Sequence, residues 1–224
     1  MTAPQPVPPT SSPTPGSPDY DWSAFFDAVD NQPPRDTLLQ ALDRFEHDPA
    51  PASPALPRFA IDLGCGQGRD TLELLRRGWR VLAIDSSREG LNRLTAKTPW
   101  PALWQLTTRQ DTFEHAALPA CDLVNASFAI PHCAPTDFPP VWARIADAIR
   151  PGGRFAGQLF GVNDGWAQRP DGITRTYHTR SQVESLLAGH GLIAEHLEEV
   201  ERDGKTAMGE PKYWHVFHIV ARKR

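Results

Sequence analysis

The stretch that decides the fold is Phe59-Ala60-Ile61-Asp62-Leu63-Gly64-Cys65-Gly66-Gln67-Gly68-Arg69-Asp70. A short run of strand character leads straight into three glycines on alternate positions. The amphipathic stretch Thr71-Leu72-Glu73-Leu74-Leu75-Arg76-Arg77 follows. A glycine-rich turn between a strand and a helix lets a ligand lie against bare backbone and the helix N-terminus. About twenty residues further on, Val81-Leu82-Ala83-Ile84 ends in Asp85, an acid placed to hold ribose hydroxyls. Together these features describe a nucleoside-binding crevice at the carboxyl end of a parallel sheet.

The spacing narrows the ligand. Dinucleotide sites use G-x-G-x-x-G, with the pyrophosphate on the helix N-terminus. This chain has G-x-G-x-G, with Asp62 two positions before Gly64. A carboxylate there opposes a pyrophosphate and suits a ligand carrying an ammonium or sulfonium. Asp62-Leu63-Gly64-Cys65-Gly66-Gln67-Gly68 resembles motif I of the class I S-adenosylmethionine-dependent methyltransferases. The resemblance extends over Phe59 to Phe160. Gln110-Asp111-Thr112-Phe113 is similar to the acidic loop after the third strand. Cys121-Asp122-Leu123-Val124-Asn125-Ala126 is similar to the fourth strand, and Ile149-Arg150-Pro151-Gly152-Gly153-Arg154-Phe155 to the turn before strand five.

The resemblance implies a fold, a cofactor and roles. The fold is α/β, a doubly wound Rossmann-like sheet of seven strands, mostly parallel with an antiparallel last strand and helices on both faces. The cofactor is S-adenosyl-L-methionine. Gly64, Cys65, Gly66 and Gly68 would let backbone approach its methionine part. Asp62 would face the ammonium and Asp85, with Ser86, the ribose. Asp111 and Thr112 would meet the adenine, and Asn125 would stand beside the donor at the end of strand four. The chain is most similar to the small-molecule methyltransferases of the tellurite-resistance and thiopurine type, although position 70 is Asp where Asn is commoner in the tellurite type.

Composition sets further bounds. The chain has 224 residues and a net charge of −4. Its pI is near 6.0. There is no basic stripe of the kind nucleic-acid binders carry, so the expected partner is a small molecule and not nucleic acid. The three cysteines, Cys65, Cys121 and Cys133, are too few for a disulfide framework and fit no zinc spacing. No secretory leader and no long apolar run is legible. A cytoplasmic protein, monomeric or weakly dimeric and without membrane attachment, is the expectation.

Along the chain, residues 1–18 are Pro-, Ser- and Thr-rich and are expected to be a disordered tail. Residues 19–57 read as a helical cap and linker. The cap contains Tyr20, Trp22, Phe25 and Phe26, then a periodic run with Leu38, Leu39, Leu42 and Phe45. Residues 58–224 are the methyltransferase-like domain. Strands are predicted at 59–63, 81–84, 102–106, 123–127 and 154–160, and helices at 69–77, 88–97 and 140–149. Ser181-Gln182-Val183-Glu184 reads as a capping box opening a helix that runs to about Gly189. Two long strands, 192–202 and 213–222, should be joined by a turn at 203–205.

The residues available for chemistry are few. Methyl transfer from a sulfonium needs alignment and exclusion of water more than it needs a base. His132, just beyond strand four, is the candidate catalytic group, as a general base toward a hydroxyl or thiol; a polar rim role is the other reading. Cys133 has no activating neighbour in the sequence. Tyr20, Trp22, Phe26, His132 and Trp166 are the candidate acceptor pocket, with Tyr177 and His178 on the far wall. The cap aromatics either pack on the core or cover the pocket. Asn125-Ala126-Ser127-Phe128 lacks the prolines of exocyclic-amine DNA methylators, and Pro131 is followed by His132, not by the Cys of cytosine C5 enzymes. His215 and His218 fall on opposite faces of a strand and cannot share a metal; no metal site is expected. The acceptor nucleophile is sulfur, selenium, tellurium, oxygen or nitrogen. A non-catalytic nucleoside-binding module, a secondary-metabolite O- or N-methyltransferase and a nicotinamide oxidoreductase are the alternatives.

Overall fold

The computed structural model describes residues 14–17, 19–48, 57–167 and 172–224. The helices are α1 (Trp22–Ala28), α2 (Asp36–His47), α3 (Arg69–Arg76), α4 (Arg88–Lys97), α5 (Phe138–Ala148) and α6 (Arg180–Gly189). The strands are β1 (Phe59–Leu63), β2 (Arg80–Asp85), β3 (Leu106–Gln110), β4 (Cys121–Ala126), β5 (Ile149–Gly161), β6 (Tyr177–His178), β7 (Leu192–Lys205) and β8 (Pro211–Lys223). One sheet runs β3-β2-β1-β4-β5-β8-β7, with β6 paired to β5 off this path. All pairs are parallel except those of β8, which runs antiparallel to both β5 and β7. The order reverses between β1 and β4, and the crevice at that switch point is where such sheets bind ligands.

Alternation along the strands builds two cores. Ile61, Leu63, Leu82, Ile84 and Val124 point to one face, where Trp142 and Ile145 of α5 and Val183 of α6 cover them. Ala60, Val81, Ala83 and Leu123 point to the other, under Leu38 and Leu42 of α2, Leu74 of α3 and Leu94 of α4. The period of two along each buried strand assigns these faces. Asp62 and Asn125 share the second face with Ala60 and Leu123, so two polar side chains point into the packed α2–α3 side. The bracing around them is the site.

Several predicted boundaries move. Residues 102–105 are a 3-10 turn, and strand three is Leu106–Gln110. This edge strand is built on Thr107 and Thr108, both exposed, so it carries little apolar signal. The helix cap is Thr179, whose hydroxyl accepts from Gln182, and Gln182 bonds back to Thr179; Ser181 and Glu184 are not the capping pair. The last two strands extend to Lys205 and from Pro211, because pairing continues through Lys205↔Pro211, and the turn is 206–210. The strand count is eight, the extra one being the two-residue β6.

The packed chain also starts before residue 19. Thr14 is buried, and its hydroxyl and the Pro15 carbonyl accept from Arg175 Nη2 at 2.8 and 2.9 Å. Residues 14–17 therefore lie against the domain, since a guanidinium satisfies itself on backbone and hydroxyl oxygens there. The rest of the expected tail, and the linker at 49–56, lie outside the described residues.

Gly157 lets β5 lie close to the end of β4: a Cβ there would stand 2.6 Å from the Ala126 carbonyl oxygen. Gly157→Ala is expected to destabilise the fold by about 1–3 kcal/mol. Urea unfolding checks this, and an unchanged midpoint would mean the two strands have slack.

Candidate functional site

The site grows out of the β1–α3 turn. Gly64 has φ +73°, and a Cβ would lie 2.4 Å from Ala129 Cβ, so only glycine fits between strand end and the β4 loop. The amides of Gly64 and Cys65 donate to the Ile84 carbonyl at 2.8 and 3.1 Å. The Gly66 amide donates to Asp85 Oδ2 at 2.7 Å, and the Ser87 amide to Asp85 Oδ1 at 2.8 Å. Asp85 thus ties the glycine turn to the end of β2, and each of its oxygens keeps a lone pair for a further donor. Burial holds its carboxyl above the usual range. Ser86 is exposed, and its carbonyl accepts from Gln110.

Behind the turn two acids are buried together. Asp62 accepts from Thr71 Oγ1 at 2.5 Å and from Asn125 Nδ2 at 2.9 Å. The same Asn125 amide reaches Asp70 Oδ2 at 3.0 Å, where Ser127 Oγ also donates at 2.5 Å. The other Asp70 oxygen accepts from the Arg35 amide at 2.9 Å. Burial first, and then the charge of Asp70, push the Asp62 carboxyl up to about 7. None of these bonds comes from a cationic side chain, although the guanidiniums of Arg35 and Arg69 stand near Asp70.

Asp111 follows β3 beside Asp85, whose carbonyl accepts its amide at 3.1 Å. Its carboxylate accepts from the Thr112 amide at 2.9 Å, and Thr112 Oγ1 bonds His115. The expected adenine contacts therefore sit on a self-capped turn. The cap is docked on the glycine loop: Gln67 Nε2 donates to the Phe26 carbonyl at 2.5 Å, and Lys97 joins Gln67 to Asp30. Ser23 and Asp27 bond Glu89 and Arg93 of α4. The Phe26 ring lies against Gly66 and Gly90, and Tyr20, Trp22 and Phe25 pack edge-on beside it. Phe26 is buried and Trp22 is exposed.

His132 closes a 3-10 turn after β4, with its ring centroid 5.7 Å from Phe160 and 5.9 Å from Trp166. Its Nδ1 is buried with no protein partner. Burial, with Arg175 and Lys212 nearby, lowers its conjugate acid to about 3. Lys212 is buried on Asp164, at 2.7 and 2.5 Å, and its ammonium lies 3.6 Å from the Trp214 ring centroid and 4.2 Å from that of Trp166. Trp166 and Tyr177 thus join His132 in one aromatic wall, whereas His178 turns to Phe138 on the other side of the sheet. Cys133 is buried, and burial with Glu114 pushes its thiol up to about 11.

Sequence reasoning missed Asp70, Thr71, Ser127, Gln158 and Lys212. Only Asp70 left a signal, the acid directly after the glycine turn. His215 lies with Glu199 and Glu201 in a cluster shaped for a metal ion. Its Nδ1 accepts the Asn163 amide, so the proton sits on Nε2, which donates to Glu199 at 3.0 Å. That tautomer leaves Nε2 without a lone pair for an ion.

Residues 60–153 match the family model described as "Methyltransferase domain". The fold is that of the class I methyltransferases. A curated relative from Methanothermobacter thermautotrophicus, a probable cobalt-precorrin-6B C(15)-methyltransferase (decarboxylating), is 30% identical over 104 residues, covering 46% of this chain and 53% of the relative. The chain therefore spans about half the length of that relative. Among solved structures, a 1,6-didemethyltoxoflavin-N1-methyltransferase from Burkholderia thailandensis superposes with a TM-score of 0.65 at 20% identity, covering 90% of this chain and 84% of that one. TehB from Haemophilus influenzae gives 0.64 at 14% identity, covering 83% and 62%. The architecture of these structures is thus shared well beyond the matched segment.

The raised Asp62 carboxyl has a consequence for stability. Its folded value lies above the ordinary one, so the folded state holds a proton that the unfolded chain releases. Its contribution is fully present below about 4 and is lost as pH rises toward about 7. Asp62→Asn is expected to flatten that decline. Urea unfolding of both proteins across this range checks it; parallel curves would show that Asp62 ionises normally.

Proposed function

We propose that this chain is an S-adenosylmethionine-dependent methyltransferase acting on a small-molecule acceptor. The observation that carries the reading is the glycine turn braced by Asp85, backed by two buried acids. Asp62 and Asp70 make no ion pair with a cationic side chain among the described residues, although Arg35 and Arg69 stand near Asp70. A pyrophosphate would meet repulsion there; an ammonium would meet its complement.

When bound, S-adenosylmethionine supplies an electrophilic methyl on a sulfonium. In this reading Gly64, Cys65, Gly66 and Gly68 present backbone to its methionine part, and Asp62 and Asp70 take the ammonium side through their shared Asn125. Asp85 holds the ribose with the lone pairs its backbone bonds leave free, and Asp111 and Thr112 flank the adenine. The acceptor would lie between the cap and the wall of His132, Phe160, Trp166 and Trp214. The 1,6-didemethyltoxoflavin-N1-methyltransferase was solved with 1,6-didemethyltoxoflavin bound, which is consistent with a small acceptor here. His132 stays neutral at working pH and holds a proton poorly, since burial lowers its conjugate acid. That favours acceptors that need little deprotonation, such as a thiol or an amine, over an alcohol that needs a strong base. The unpartnered Nδ1 remains available to orient such an acceptor.

Calorimetry with S-adenosylhomocysteine and with NAD tests the donor. Binding of the former without the latter is expected, and equal or tighter NAD binding refutes the reading. Asp85→Ala is expected to cost at least about tenfold in affinity, since each charge-assisted bond is worth roughly 1.5–3 kcal/mol. A second check uses pH. Protonating Asp62 removes charge facing the ammonium, so affinity should fall as pH drops below about 7, with proton release on binding in that range. Titrations in buffers of different ionisation heat measure the released proton, and none released at pH 6 would detach Asp62 from the ligand.

A further inference from the structure

Two indoles are exposed at the open edge of the sheet. Trp100 is 69% exposed and Trp104 78%, whereas Trp79, Trp142 and Trp166 are buried. Their rings meet edge to face with centroids 5.4 Å apart, and Leu103 beside them is exposed too. The turn that carries them is fixed. The Trp104 amide donates to the Pro101 carbonyl at 3.1 Å, the Leu106 amide to the Leu103 carbonyl, and Gln105 Nε2 to the Gly78 carbonyl at 3.3 Å. The backbone thus holds the indoles outward. Large apolar rings presented together in this way mark an interaction surface.

Strand β3 continues directly from that turn, and its outer edge is unpaired among the described residues. The opposite edge strand, β7, carries Glu198, Glu199, Glu201, Arg202 and Asp203, charges of the kind that keep an open edge from pairing. β3 is Leu106-Thr107-Thr108-Arg109-Gln110, and its one charge is turned back on the chain, because Arg109 Nη1 donates to the Ala117 carbonyl at 2.7 Å. Thr107 and Thr108 are exposed. An antiparallel partner identical to β3 pairs all five residues in one register only, centred on Thr108. Leu106 then faces Gln110, Thr107 faces Arg109, and Thr108 faces its own copy, so no like charges stand opposite each other. In that register the turn of each copy, at residues 102–105, meets the loop that follows β3 in the other.

We propose that this edge docks a second copy of the chain: β3 pairs antiparallel with β3 across a twofold axis, and Trp100 and Trp104 of each copy are covered by the other. A twofold contact must be complementary to itself, and the register centred on Thr108 meets that condition. The area is of the right order. Each indole brings roughly 150–200 Å² to the contact, so the four together supply about half of the roughly 1,600 Å² that a stable interface buries. The paired strands and Leu103 contribute the remainder. The glycine turn and its acids take no part in this surface, so the inference stands independently of the methyl-donor reading.

Sedimentation of the full chain over about 1–100 µM tests the proposal, and a reversible monomer–dimer equilibrium is expected in that range. Trp100→Ser combined with Trp104→Ser should weaken dimerisation at least about tenfold and leave the circular dichroism spectrum unchanged. Thr108→Lys and Thr108→Glu should each sediment as monomers, since like charges meet across the axis, whereas an equimolar mixture of the two should form a heterodimer. The mixture reports the register and shows that both variants are folded. A parent that stays monomeric throughout overturns the proposal, as does a double tryptophan variant that dimerises like the parent. Unaltered dimerisation of Thr108→Lys and Thr108→Glu overturns it as well. Flotation of a monomeric parent, but not of the tryptophan variant, with phosphatidylserine vesicles would assign the indoles to a lipid surface and likewise overturn it.

Discussion

The pair of carboxylates joined by Asn125 constrains everything around it. Asp62 ends its strand pointing into the helix-covered side of the sheet, Asp70 enters from the first turn of α3, and one amide group bonds both. Burying one acid costs free energy and burying two multiplies it, unless hydrogen bonds and a counter-charge compensate. The hydrogen bonds come from Thr71, Ser127 and the Arg35 amide, which draws β1, β4, α3 and the lead-in to α2 onto one point. No cationic side chain bonds either carboxylate among the described residues; the guanidiniums of Arg35 and Arg69 act on Asp70 without bonding it. Burial and the neighbouring Asp70 charge raise the Asp62 carboxyl, and groups perturbed in this way mark candidate functional sites.

This network also explains how the cap relates to the domain. Arg35 and Pro33 bond Asp70 and Arg69, and the backbone carbonyl of Phe26 bonds Gln67 inside the glycine turn. Farther along the same segment, Asp27 and Asp30 pair with Arg93 and Lys97 of α4. The cap is therefore fastened to the loop and helices that shape the crevice. Exposed pairs of this kind contribute little each. The buried Gln67 bond and the Phe26 ring against Gly66 and Gly90 are the stronger part. Cap order and crevice shape are thus coupled through a few contacts.

What the sequence made legible follows from the range of each signal. The β1–α3 turn, Asp85 and the helix over 88–97 are local patterns, in which neighbours in sequence are neighbours in space, and they stand where the pattern put them. Strand three was misplaced because an edge strand has only one partner and little to bury, so Thr107 and Thr108 replace the apolar run that marks an interior strand. The capping pair moved from Ser181 to Thr179 because two overlapping cap patterns compete there, and the backbone decides between them. Asp70 carried its signal locally, as an acid in the first helical turn, but its meaning depended on Asn125 and Ser127, brought in by strand pairing. Lys212 and Asp164 are far apart in sequence and gave no hint of meeting.

The aromatic wall that we propose faces the acceptor shows where local reading stops and what replaces it. It is assembled from the β4 loop, the end of β5 and the start of β8, so no motif marks it. Yet its chemistry is constrained. The ammonium of Lys212 is already held by Asp164 within the Trp214 and Trp166 rings, which fixes those rings as a rigid surface and spends that cation on structure. Arg175 is likewise engaged with Thr14 and Pro15. One polar atom left unbonded among the described residues is the His132 Nδ1, and burial with those two nearby cations opposes charge on the ring. A neutral imidazole nitrogen in an aromatic setting can orient a hydrogen-bonding acceptor but stabilises little transferred positive charge. Catalysis here would then rest on holding a ready nucleophile in line, in a site the cap keeps dry, and the burden of specificity passes from acid–base strength to the shape of the aromatic wall.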